Sequence, residues 1–143
     1  MRATPRLASV TRVLIAEELA EGALETLHAQ GLEADVRLGM GRAELLDAVV
    51  GASALIVRSA TQVDDEVLAA GTDLVVVGRA GIGLDNVDVE AATRRGVMVV
   101  NAPQSNVLSA AEHTMALLLA QARNVPAANA DLKAGNWNRS TWK

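Results

Sequence analysis

Five strand-length runs recur along the chain at intervals of about twenty residues: Arg12 to Ala16, Leu32 to Val36, Ala54 to Val57, Leu74 to Val77 and Val97 to Val100; four are mainly apolar, and the second alternates apolar and charged residues. Each has the length of a strand and is too short for a helix. The segments between them have helical spacing. Glu17 to Ala29 carries Leu19, Ala23, Leu24 and Leu27 and stops at Gly31. Arg42 to Val50 carries Leu45, Leu46 and Val49 and stops at Gly51. Asp64 precedes Asp65 to Ala70 as a cap, with Gly71 beyond. Asn86-Val87-Asp88 reads as a start signal, and Val87 to Arg95 has acids first, bases last and Gly96 beyond. Strands that alternate with helices make a parallel sheet, because each parallel pairing needs a crossover connection. With right-handed crossovers and five strands, the expected fold class is α/β, a flavodoxin-like parallel five-stranded sheet flanked by helices.

Composition agrees with such a core. Half of the 143 residues are apolar, yet Phe and Tyr are absent and both Trp residues, Trp137 and Trp142, fall in the last seven positions. The core is therefore expected to be Val, Leu, Ile and Ala. With no Cys, disulfides and thiol catalysis are excluded, and two distant His residues make no metal site. The net charge of −4 argues against a nucleic-acid partner. No apolar run is long enough to cross a membrane, and residues 1–11 read as a disordered leader without the apolar stretch of a secretory signal. A cytoplasmic location is the expectation. After the fifth run, Asn101 to Asn106 reads as a loop. Ser109 and Glu112 have the spacing of a capping box for a long helix reaching about Asn124, and Pro126 interrupts that helix or starts another, which Gly135 ends.

The chemistry-bearing residues follow strands. Arg58-Ser59-Ala60-Thr61 follows the third, Gly78 to Asn86 the fourth and Asn101 to Asn106 the fifth. In a parallel sheet these loops share one edge, where open α/β folds bind ligands. Arg58 and Arg79, with Ser59, Asn106 and main-chain N–H groups, suit a ligand with two anionic groups. Taken alone, the glycine loop reads equally as a tight turn with a solvated Arg. Gly81-Ile82-Gly83-Leu84-Asp85-Asn86 is not a dinucleotide fingerprint, because the third glycine of G-x-G-x-x-G is missing. A phospho-receiver domain needs an Asp at the end of the third strand, and Arg58 stands there. Glu112 and His113 are neighbours on a helix and point about 100° apart, so they do not pair.

Val57-Arg58-Ser59-Ala60-Thr61, the run from Val77 to Asp88, Arg95-Gly96-Val97, Val100-Asn101-Ala102-Pro103 and the segment from Ser105 to His113 together resemble the D-isomer-specific 2-hydroxyacid dehydrogenases. Within that family the pattern is similar to the enzymes that take D-3-phosphoglycerate. Lys133 to Arg139 resembles the segment leading into the family's cofactor domain. The resemblance implies that Arg58 and Arg79 bind the substrate's phosphate and carboxylate, helped by Ser59 and Asn106. It implies that the N–H groups of Ile82 and Gly83 hold the carboxylate near the nicotinamide of NAD. In several relatives a Thr stands at the place of Ile82 and touches the cofactor; Ile keeps the N–H without the hydroxyl, so only a weak cofactor contact is expected.

The implied organisation is a substrate-binding domain over residues 12–104 that lacks its C-terminal closing helices. Residues 105–143 would be a bridging helix and the start of a truncated NAD-binding domain, with a homo-oligomer formed through the bridging helix. The family's dinucleotide loop and its catalytic Arg, Glu and His have no counterpart among the 143 residues. The chain is thus expected to contribute recognition of 3-phosphoglycerate to an NAD-dependent oxidation in L-serine synthesis, and to be inactive alone. Two alternatives are another D-2-hydroxyacid dehydrogenase and a stand-alone, non-catalytic anion-binding module.

Overall fold

The structure, a computed structural model, describes residues 12–20, 22–138 and 140–142. The expected leader therefore lies outside the described residues, as does Arg139. The described residues fall into two compact units, divided between Ser105 and Asn106.

The first unit is a five-stranded, all-parallel sheet. Its strands are β1 (Arg12–Ile15), β2 (Glu33–Val36), β3 (Ala54–Val57), β4 (Val76–Arg79) and β5 (Met98–Asn101). They lie in the order β2-β1-β3-β4-β5, the flavodoxin-like arrangement. The helices of this unit are α1 (Ala23–Ala29), α2 (Arg42–Val49), α3 (Asp65–Ala70) and α4 (Val89–Arg94).

The pleat sends alternate residues to opposite faces. Leu14, Leu55 and Val77 face α2, α3 and α4 and join Val49, Val67 and Ala91 in the main core. Val13, Ile15 and Ala54 form a smaller cluster with Leu27 of α1. Met98 and Val100 of β5 pair with Val76 and Gly78 of β4, and they are 63% and 44% exposed. The sheet is therefore thickly covered on one face and bare over β5 on the other.

Several boundaries differ from the sequence reading, each for a local reason. The helix expected from Glu17 begins only at Ala23, after Gly22 in the left-handed region at φ 82°. Glu17 is instead committed to amides of the loop after β3. β4 starts at Val76, because the Leu74 N–H closes a turn onto the Gly71 carbonyl at 3.0 Å. It then runs to Arg79, in register with Val57 of β3. α3 is as expected, with Asp64 accepting from the Val67 N–H at 3.1 Å. In α4 the cap is Asp88, which accepts from the Ala91 N–H at 2.8 Å, so Asn86 is free for another role.

The second unit contains α5 (Val107–Ala122) and α6 (Val125–Lys133). Ser109 and Glu112 do not form the expected capping box. The helix starts earlier, at Asn106, and Ser109 lies in its first turn with its hydroxyl donating to the Asn106 carbonyl at 3.2 Å. Asn124 at φ 52° separates the two helices, and Pro126 sits in the first turn of α6, where its missing N–H costs no helical bond. Asp131 gathers Trp142 Nε1 at 3.1 Å, Asn136 Nδ2 at 2.9 Å and Asn138 Nδ2 at 3.2 Å. These donors, Trp142 foremost, hold its carboxyl below the usual aspartate range. Leu117, Leu118 and Leu119 of α5 are all more than half exposed.

Truncating Leu55, fully buried in β3, to Ala should cost about 2–5 kcal/mol, because the central strand cannot collapse around the cavity. Met98→Ala on the bare face should cost no more than about 0.5 kcal/mol. Urea unfolding of the two variants measures the difference.

Candidate functional site

Parallel pairing brings the ends of three strands side by side. Val57 is opposite Arg79, and Arg79 is opposite Asn101. The loops after β3, β4 and β5 therefore leave from one edge, as the sequence pattern suggests. Two further links fix them to each other. Val63 and Val87 form an isolated parallel bridge, with the Val63 N–H donating to the Asn86 carbonyl at 2.8 Å and the Asp88 N–H to the Val63 carbonyl at 2.9 Å. Asn101 Nδ2 donates to the Ile82 carbonyl at 2.7 Å, and the Ala102 N–H to the Gly81 carbonyl at 2.9 Å.

Asn86 is the buried joint of this edge, only 2% exposed. Its Nδ2 donates to the carbonyls of Arg58 at 2.8 Å and Thr61 at 2.7 Å. Only the amide nitrogen can serve two acceptors as donor, so this contact sets the orientation of the side chain. Its Oδ1 is buried without a partner among the described residues.

The loop after β3 is held from its other side by Glu17. That carboxylate accepts from the N–H groups of Arg58 at 2.8 Å, Thr61 at 2.9 Å and Ala60 at 3.1 Å. Partial burial by itself would push the Glu17 carboxyl up. The amides of Thr61, Arg58 and Ala60 outweigh that, and its pKa lies below the ordinary glutamate value. Neither Glu17 nor Asn86 stands out in the sequence. An acid after a strand reads as the start of a helix, and Asn before an acidic stretch reads as a cap.

The residues singled out in the sequence fall as follows. Arg58 and Ser59 are exposed on the clamped loop, and Arg58 reaches the Glu18 carbonyl with one nitrogen at 3.4 Å, a weak contact. The Arg79 guanidinium is folded against Gly81, where any Cβ would overlap it. Its Nε is buried and has no hydrogen-bond partner among the described residues. Ile82 and Gly83 lie exposed on the glycine loop, and their N–H groups have no protein partner among the described residues. Arg79 and these amides therefore leave a row of unused donors on one loop. Asn106 stands at the N-cap position of α5, in the second unit.

A cavity of about 270 Å³ lies between the loops after β1, β2 and β3. Ala16, Glu17, Met40, Leu45 and Thr61 are among its lining residues, whereas Arg58, Arg79, Ile82 and Gly83 are not. It holds the Glu17 carboxylate, and Arg42 on its rim is already paired with Asp64 at 2.7 Å. The donor chemistry is thus on the open edge, outside this cavity.

The residues of the glycine loop do not fit a dinucleotide. Asp88 already occupies the N-terminus of α4, which is six residues long, so a pyrophosphate would meet a carboxylate there.

The fold is a flavodoxin-like parallel sheet with its donor-bearing loops on one edge, and comparison with known proteins gives its family. The sequence profile of the D-isomer specific 2-hydroxyacid dehydrogenase, catalytic domain, matches residues 13–139, and the chain belongs to that family. It is 57% identical over 136 residues to D-3-phosphoglycerate dehydrogenase of Mycobacterium bovis, covering 94% of this chain and 25% of that protein. Among solved structures it is similar to a protein from Thermus thermophilus, at 36% identity and a TM-score of 0.84, covering 93% of this chain and 44% of the other. It is also similar to NAD+-bound 3-phosphoglycerate dehydrogenase of Entamoeba histolytica, at 26% identity and a TM-score of 0.70, covering 78% and 39%. The chain spans about a quarter of the length of the curated relatives it matches.

Gly81→Ala should push the Arg79 guanidinium off its seat and weaken binding of a carboxylate ligand roughly tenfold. Gly81 has no positive φ, so stability should change by no more than about 1 kcal/mol. Calorimetric titration with D-glycerate, beside thermal unfolding, separates the two effects.

Proposed function

We propose that this chain is the substrate-recognition part of an NAD-dependent dehydrogenase that oxidises D-3-phosphoglycerate to 3-phosphohydroxypyruvate, a step of L-serine synthesis in the cytoplasm. The observation that carries the reading is the row of unused donors: the buried Arg79 Nε and the N–H groups of Ile82 and Gly83. Together they suit the substrate carboxylate, with Arg79 as a planar fork and the amides as a cradle. Arg58 and Ser59, on the clamped loop one strand away, take the phosphate. The relatives named for D-3-phosphoglycerate support this substrate class, and the two-Arg edge suits a dianionic ligand.

In this reading the 143 residues supply recognition, and the catalytic Arg, Glu and His of the family have no counterpart among them. NAD is the cofactor of the whole protein, and the residues described here bind and orient the substrate without forming a dinucleotide site. Among the described residues no helix is long and apolar enough to cross a membrane. In this reading residues 12–104 are the substrate domain, and residues 105–143 are the bridging helix and the beginning of the cofactor domain. The exposed leucines of α5 supply the apolar surface for a homo-oligomer.

Calorimetry on the full chain tests the assignment of the two Arg residues. Arg58→Ala should raise the Kd for 3-phosphoglycerate by roughly ten- to a hundredfold, as expected for losing a charge-assisted hydrogen-bond set, and leave D-glycerate nearly unchanged. Arg79→Ala should weaken both ligands. If D-glycerate binds the unmodified chain as tightly as 3-phosphoglycerate, the substrate is an unphosphorylated 2-hydroxy acid and the phosphate assignment fails.

A further inference from the structure

The crevice between β1 and β3 is the point where the strand order reverses, and in open α/β sheets this is where ligands usually bind. Here a protein group occupies it. The Arg58–Thr61 loop points three N–H groups, those of Arg58, Ala60 and Thr61, at one spot. Convergent amides of this kind form an anion nest. The anion in this nest is the carboxylate of Glu17, two residues beyond the end of β1.

On the opposite side the two loop carbonyls of Arg58 and Thr61 are taken by Asn86. Five main-chain groups of a four-residue loop are thus fixed by two side chains from other parts of the chain. The Ser59 N–H is not among them, and the side chains of Arg58 and Ser59 remain exposed. Fixing the backbone limits the directions those two side chains can take, and lowers the ordering cost when a ligand arrives.

We propose that Glu17 is a positioning residue of the recognition edge: its carboxylate fills the nest of the Arg58–Thr61 loop as a built-in anion, excludes the substrate from the switch-point crevice, and directs Arg58 and Ser59 toward the substrate phosphate. The proposal rests on the substrate reading above and adds to it a residue that does not touch substrate. The charged groups around Glu17 do not compete for this role. Arg42 on the rim of the same cavity is paired with Asp64 and Glu66, and the Arg58 side chain turns to the Glu18 carbonyl.

The folded-state pKa of Glu17 is depressed, so the clamp is present above the unfolded glutamate value and is lost as pH falls through the lower folded value.

Amide NMR of the full chain, followed from about pH 7 to about pH 3, reads the clamp directly. The signals of Arg58, Ala60 and Thr61 should move together with one midpoint below that of an ordinary glutamate. Glu17→Gln keeps one acceptor oxygen but cannot titrate, so the shared transition should vanish while the fold is kept. In calorimetry Glu17→Gln should weaken 3-phosphoglycerate by roughly threefold and Glu17→Ala by roughly tenfold. With Glu17→Ala, added acetate should recover part of the loss by refilling the nest. The proposal is overturned if the three amides do not share a transition, or if Glu17→Ala binds 3-phosphoglycerate as the unmodified chain does. If the unmodified chain binds no 3-phosphoglycerate but the shared transition is seen, the clamp stands, and the substrate reading and its positioning role fall.

Discussion

Every strand of this sheet ends on the same edge, and the main-chain groups left over there have no ladder to pair with. A main-chain N–H or C=O without a ladder partner turns to water or to side chains instead. In this protein the answer is two side chains. Glu17 takes the amides of the loop after β3, and Asn86 takes its carbonyls. The Val63–Val87 bridge and Asn101 then tie that loop and the glycine loop to the rest of the edge. The order of the strand-end loops is therefore a consequence of hydrogen-bond satisfaction, and the donors left over are those available to a ligand.

What remains unspent is cationic and donor-rich. Arg79 lies over Gly81 because glycine leaves the space, and it keeps a buried Nε free among the described residues. Elsewhere on the surface Asp35 pairs with Arg12 and Arg37, and Asp65 with Arg95. The glycine loop is not free of negative charge itself: Asp85 is exposed on it, with Oδ1 against Gly83, beside the unused donors.

Periodicity makes the sheet legible. β-branched runs of strand length, separated by capped helices, imply five strands, their parallel pairing and their order, and the strand-end positions of Arg58 and Arg79 follow. Long-range contacts are not legible. Glu17 bonds residues more than forty positions away, and its acid side chain is equally at home at the start of a helix, so the sequence places the start of α1 six residues too early. Asn86 reads as a cap because Asn caps helices, but Asp88 fills that role and Asn86 is spent inside the edge. The box of Ser109 and Glu112 fails for a similar reason: the spacing recurs inside Ala-rich helices, and Asn106 starts the helix first.

Central to this picture is that the anion binds on the open edge and not in the 270 Å³ cavity beside it. Chemical-shift mapping of 3-phosphoglycerate on the full, isotope-labelled chain tests this most directly. Binding on the edge predicts shifts concentrated on residues 58–61 and 79–84, with the methyl groups of Met40 and Leu45 unmoved. Shifts centred on Met40, Leu45 and the amides around Gly41, with residues 79–84 silent, would contradict it.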